Sequence, residues 1–167
     1  MNHIIEFEHL SENNLRETEK ILKNSNLMIH DCITKIALMG SRGLKGGYRP
    51  DSDIDIGLIL HSRFRPPSEE LCREAIELSL SHWTSDIELD TALVFDKMNC
   101  GLVCYQRQIY DPTLCLHGKD CIGLYKIQKG FSGFVPEIGL EVKNVYPILI
   151  IWEDDAEAFD QTNAVES

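Results

Sequence analysis

Leu38-Met39-Gly40-Ser41-Arg42-Gly43-Leu44-Lys45-Gly46-Gly47-Tyr48-Arg49-Pro50-Asp51-Ser52-Asp53-Ile54-Asp55-Ile56-Gly57-Leu58 is the stretch on which the fold turns. It leaves one apolar run, Ile33 to Met39, and enters another, Ile54 to Leu60. Short apolar runs bounded by turn formers read as strands. The second run is almost continuous, which predicts a strand buried on both faces. Between them Gly43, Gly46, Gly47 and Pro50 demand a loop, after a turn or short helix that starts at Ser41.

Two chemical devices meet in this stretch. Gly40-Ser41 follows the first strand directly. Glycine allows a sharp turn and close approach of backbone to a ligand. A turn or helix beginning there presents free N–H groups, which suit phosphate oxygens, and Ser41 adds a hydroxyl. Asp53 and Asp55 flank Ile54 at the start of the second strand. Residues two apart on a strand project to one side, so both carboxylates face the same way while Ile54 faces the core. Paired carboxylates repel unless a cation lies between them, and hard oxygen ligands of this kind suit Mg²⁺. Either device alone is commonplace: a Gly-Ser pair is ordinarily a turn, and Asp-x-Asp at a strand end is ordinarily solvated. Their position on successive strands allows both to meet at one sheet edge. Asp51, in the turn beside Pro50, reads as a turn residue without a catalytic role.

Outward from this centre, Ser11 to Lys23 reads as a helix capped by Ser11, with Leu15, Glu19 and Leu22 on one face and Ile21 widening it. Pro66-Pro67-Ser68 opens a second helix that runs to about His82, with Leu71, Ala75, Leu78 and His82 marking a face that Ile76 widens. Ile87 to Phe95 is a third strand. Asp86, Glu88 and Asp90 share one of its sides by period-two alternation. Beyond Asp96 the pattern weakens. Residues 100–111 read as a short helix, the stretch around Gly118 as a loop and Gly130 to Gly139 as another. Val145 to Phe159 fits either a helix or a strand from Ile148 to Trp152 followed by an acidic tail. The order predicts an α/β (α+β) fold, a small mixed sheet flanked by helices, in one domain over residues 1–167. Its core spans about 30–96 and an extension about 97–167.

The chain has 167 residues, 27 acidic against 16 basic, and a formal net charge of −11. Such a balance argues against an extended nucleic-acid surface, which needs a Lys/Arg excess, and suits a cationic acceptor or a basic partner. No apolar run approaches the ~20 residues of a membrane span. No secretory pattern opens the chain, so the expectation is a cytoplasmic protein. Its six cysteines then read as reduced thiols. Cys115, His117 and Cys121 lack the paired knuckle and fourth ligand of a zinc site. His30, His61 and His82 lie singly near element ends, Trp83 and Trp152 read as core or rim residues, and Tyr48 as a loop aromatic.

Gly40-Ser41, a spacer containing Arg42 and Pro50-Asp51-Ser52, then Asp53-Ile54-Asp55, resembles the DNA polymerase beta-like nucleotidyltransferase superfamily. The likeness is greatest to its minimal (MNT-type) bacterial members, some paired with HEPN-domain proteins. It covers about residues 30–96. The resemblance implies a nucleotidyltransferase fold and a third carboxylate on a later strand, for which Asp90 is the first choice and Glu88 the next. It implies that Asp53, Asp55 and Asp90 are catalytic and hold Mg²⁺, with two ions expected. Gly40, Ser41, Arg42 and Lys45 would contact an NTP, expected to be ATP. The activity implied is transfer of an NMP from the NTP to an acceptor, a small molecule or a protein such as a HEPN-type partner, with release of pyrophosphate. The alternative is a catalytically silent, antitoxin-type nucleotide-binding partner of a HEPN-like protein. A third possibility is that the aspartates form an incidental turn in an unrelated α/β protein.

Overall fold

The structure, a computed structural model, describes residues 13–43, 46–47, 49–97, 102, 122–135 and 148–154. The chain starts with helix α1 (Asn13–Asn24) and strand β1 (Ile33–Met39), followed by a 3-10 turn (Gly40–Arg42). Strand β2 (Ile54–Leu60), a second 3-10 turn (Ser62–Phe64), helix α2 (Glu69–His82) and strand β3 (Leu89–Asp96) come next. Strands β4 (Ile122–Lys126), β5 (Gly133–Phe134) and β6 (Leu149–Glu153) complete the order.

These strands form one six-stranded sheet in the order β5-β4-β3-β2-β1-β6. β1 and β2 pair antiparallel, β2 and β3 pair parallel, and the remaining pairs are antiparallel. The parallel pair needs a crossover, and α2 supplies it. Ser68 caps that helix by accepting a hydrogen bond from the Leu71 amide at 3.1 Å, and Glu69 and Glu70 lie in its first turn, where the helix dipole favours negative charge. The buried stripe of α2 is Cys72, Ala75, Ile76 and Ser79 rather than the expected Leu71, Ala75, Leu78 and His82. The helix is rotated so that small side chains lie against the sheet, while Leu71 packs at the margin and His82 is exposed. Among the described side chains of α1, Leu15, Thr18 and Leu22 are buried. Asn26, at φ 56°, ends that helix in the left-handed region that asparagine tolerates. The Asn26 amide nitrogen then donates to the His82 carbonyl at 3.2 Å, tying the two helix ends together.

Alternation along the central strands divides the core. Ile54, Ile56, Leu58 and Leu60 of β2 join Leu15, Leu22, Cys72 and Ile76 beneath the helices. On the other face Ala37, Ile59, Val94, Ile122 and Ile148 form a second cluster. Asp55 and Asp90, out of phase with the helix-facing residues, belong to this second face.

Beyond residue 96 two expectations change. Gly133–Phe134, expected as loop, is a short strand pairing with Tyr125 and Lys126. Of the two readings of residues 145–159, the strand is present: Leu149–Glu153 adds to the edge of β1. The helix expected over 100–111, the loop around Gly118 and the Cys115/His117/Cys121 group lie outside the described residues, apart from Leu102, which is buried in the second cluster. Cys32 and Cys72 are buried free thiols, and burial pushes Cys32 up to about 12. Among the described residues no helix is long and apolar enough to cross a membrane.

Candidate active site

The backbone register sets the acidic residues level with each other. In the parallel β2–β3 pair, Ile54 faces Leu89 and Asp55 faces Asp90. The Ile54 amide donates to the Glu88 carbonyl at 2.9 Å, so the pairing begins ahead of β3. Asp53 sits just before β2 and lines an open cleft of about 320 Å³ with Asp55, Ser41, Arg49, Asp51 and Ser52.

Gly40 closes the wall beside Asp55. Its φ is +69°, and a Cβ at this position would overlap the Asp55 Oδ2 atom. Glycine is therefore required twice, once for the left-handed backbone and once for the approach of the carboxylate. Gly40→Ala is expected to cost about 2–4 kcal/mol, from a left-handed alanine plus the displaced carboxylate. Urea unfolding of the two chains measures it, and a loss below about 1 kcal/mol would remove the close-approach argument.

The carboxyl groups are crowded. Burial, a hydrogen bond to Asp90, and the charges of Asp90 and Asp53 together push Asp55 up to about 7, while Lys126 opposes them. A hydrogen bond between two carboxyls requires a proton on one of them, and Asp55 carries it below this range. Asp90 is mostly buried, and its Oδ1 makes no hydrogen bond. The Lys126 ammonium lies 3.2 Å from that oxygen and 3.5 Å from Oδ2; only the Oδ2 contact has hydrogen-bond geometry, and the shorter one is an ion-pair contact. Lys126 also sits over the Phe131 ring, 5.6 Å from its centroid. Lys129 follows in the turn after β4, at φ 57°, and donates to Asp53 Oδ2 at 2.6 Å and Glu88 Oε2 at 3.4 Å. The hydrogen bond to Asp53 leads the causes that hold its ammonium above the ordinary lysine range.

The sign of the pH effect follows from the raised carboxyl. An Asp55 ordinary at 3.8 when unfolded and near 7 when folded takes up a proton on folding between those values. Stability therefore falls as pH rises through that window, and the penalty is complete above about 7. Asp55→Asn removes the penalty. We expect it to stabilise the chain by about 1–2 kcal/mol at pH 8, after discounting for solvent access and Lys126, or roughly 3–6 °C in Tm. The gain should vanish towards pH 4; thermal melts at the two pH values check this, and a destabilised Asp55→Asn chain at pH 8 would contradict it.

Arg42 departs from its expected role. The resemblance implies that it contacts the NTP, but its side chain is fully buried. Its Nε donates to the Ser52 carbonyl at 2.7 Å, Nη2 to the Pro50 carbonyl at 2.9 Å and Nη1 to Thr18 Oγ1 at 3.3 Å. The guanidinium clasps the loop that ends at Asp53 and is not among the residues that line the cleft. Among the described residues, Arg49 lines the cleft instead, with a largely exposed side chain. Lys45 and Tyr48 lie outside the described residues. Glu88 precedes β3 and faces Lys129 and solvent, whereas Asp90 stands beside Asp55.

Among the described residues no three His, Cys, Asp or Glu side chains converge at metal-ligand spacing. Asp53 and Asp90, expected with Asp55 to hold Mg²⁺, are each drawn to a lysine here. The donors nevertheless fit a divalent ion. They are hard oxygens, Asp90 Oδ1 is buried without a hydrogen bond, and the charge crowding on Asp55 is the kind that a metal relieves. Lys126 and Lys129 escaped the sequence reading because neither stands in a motif near the acids they meet.

No protein-family model, curated protein or solved structure matches the chain.

Proposed function

We propose that the chain is a Mg²⁺-dependent nucleotidyltransferase with the DNA polymerase beta-like fold, moving an NMP from an NTP, with ATP the first choice, to an acceptor hydroxyl. One observation carries this reading: Asp55 and Asp90 stand side by side on parallel strands, with Gly40 packed against the Asp55 carboxylate and Ser41 lining the same cleft. The order of β1, Gly-Ser, Asp-x-Asp on β2, a helical crossover and a carboxylate on β3 supports the fold assignment.

Asp53, Asp55 and Asp90 would hold the metal. When bound, Mg²⁺ offsets charge on the phosphates and on the departing pyrophosphate. Ser41 donates its hydroxyl to phosphate oxygens from the cleft wall, and Arg49 supplies positive charge at the mouth. Asp90 accepts the proton of the acceptor hydroxyl as that oxygen bonds to the α-phosphorus. The bond from the α-phosphorus to the bridging oxygen breaks, and pyrophosphate leaves with its electron pair. The net charge of −11 favours a cationic acceptor, either a small polycation or a basic protein surface.

The ion pairs to Lys126 and Lys129 favour a second reading, a silent nucleotide-binding module whose acids are already neutralised. Incubation with α-labelled NTPs and Mg²⁺ separates the two readings, using polyamines, aminoglycosides and basic proteins, HEPN-type ones included, as acceptors. Labelled acceptor with stoichiometric pyrophosphate supports the enzyme. Nucleotide binding without label transfer to any acceptor supports the module.

A further inference from the structure

Two lysines reach the acidic cleft from β4 and the turn after it, in different settings. The Lys126–Asp90 pair is sheltered, with side chains 19% and 15% exposed. Lys129 is 43% exposed, and its partners Asp53 and Glu88 are 31% and 52% exposed. Ion pairs in open water are weak and readily exchanged, whereas sheltered pairs are costly to break. Lys129 also stands on a left-handed turn followed by Gly130 at φ 85°, which presents its flexible side chain at the cleft. Around the cleft, Asp53, Asp55, Glu88 and Asp90 face Lys126 and Lys129, so carboxylates outnumber ammoniums.

Resting on the nucleotidyltransferase reading, we propose that Lys129 is a displaceable counter-cation of this site. Its ammonium holds Asp53 and Glu88 until a divalent ion takes Asp53, and is then released to the triphosphate of the nucleotide. Lys126 keeps its place beside Asp90. A tethered ammonium and a divalent ion cannot occupy the same carboxylate oxygen, so removing the ammonium favours the metal. Triphosphate carries excess negative charge even with a metal bound, so the released ammonium finds a second partner within reach of its stem.

The test measures binding, with no acceptor present. Titration calorimetry of the full chain with Mn²⁺ alone should give a dissociation constant about three- to tenfold lower for Lys129→Met than for the parent. With Mg²⁺ saturating, α,β-methylene ATP should bind about three- to tenfold more weakly to Lys129→Met. Lys129→Arg, which keeps the charge, should restore nucleotide binding to within about twofold of the parent. A merely structural lysine would not move the two affinities in opposite directions. Mn²⁺ affinity unchanged or weakened in Lys129→Met, or nucleotide affinity not reduced, overturns the proposal. If the parent chain binds neither Mn²⁺ nor the nucleotide, the nucleotidyltransferase reading itself fails and this inference with it, a pattern distinct from failure of Lys129 alone.

Discussion

Asp53→Ala is expected to lower nucleotidyl transfer by about 10³-fold or more while shifting Tm by no more than about 2–3 °C. The separation of the two effects follows from where Asp53 sits. It precedes β2, lines the open cleft, and its described partner is the exposed Lys129. On the proposed mechanism its loss removes an oxygen ligand of the metal, and it opens no cavity in either core cluster. Label transfer per unit time and a thermal melt on the same preparation check both halves. Retained turnover would remove Asp53 from the chemistry. A fall of 10 °C or more would make it a structural residue.

Arg42→Ala should do the reverse, costing about 3–5 kcal/mol of stability, or roughly 10 °C in Tm. The guanidinium is fully buried and serves the Ser52 and Pro50 carbonyls and the Thr18 hydroxyl together. Its removal leaves those oxygens without these donors and a void between α1 and the loop. Because that loop delivers Asp53, activity should fall as well, even well below the melting temperature. Arg42→Lys should recover only part of the loss, since one ammonium cannot reproduce the planar fork. Urea unfolding gives the stability change, and a cost under 1 kcal/mol would show that the clasp does not hold the loop.

The two variants mark the boundary of what a linear reading can reach. β1 and β2 were legible because each is an apolar run with turn formers on both sides, a local property. Asp90 was legible as a candidate only through the resemblance, and the parallel register supplies the reason it stands level with Asp55. Arg42 was misread because a cation in a glycine-rich loop ordinarily projects into water. Its burial depends on carbonyls eight and ten residues onward and on a hydroxyl 24 residues back, in α1. Lys126 and Lys129 meet their acids across 36 and 76 residues. No spacing rule connects residues so far apart; only the placement of β4 beside β3 does. The stretch from Leu149 to Glu153 stayed ambiguous for a related reason. Five largely apolar residues suit a helix or a strand equally, and the vacant edge of β1 decides between them.

The raised Asp55 carboxyl bears on stability and on the proposed function alike. Burial of Asp55 beside Asp90 and Asp53 opposes folding at neutral pH, and Lys126 only partly offsets it. Folds retain such local conflict where a ligand resolves it. Here the ligand proposed is a divalent ion carrying a nucleotide.

Equilibrium binding of non-hydrolysable analogues of all four NTPs, with Mg²⁺ and with EDTA, to the parent chain and to Asp55→Asn tests that idea most directly. We predict that at least one analogue binds the parent with Mg²⁺ and at least tenfold more weakly in EDTA, and that Asp55→Asn abolishes the difference. Binding equally tight in Mg²⁺ and EDTA, or no binding of any analogue to the parent, would contradict the assignment of these carboxylates to a metal–nucleotide site.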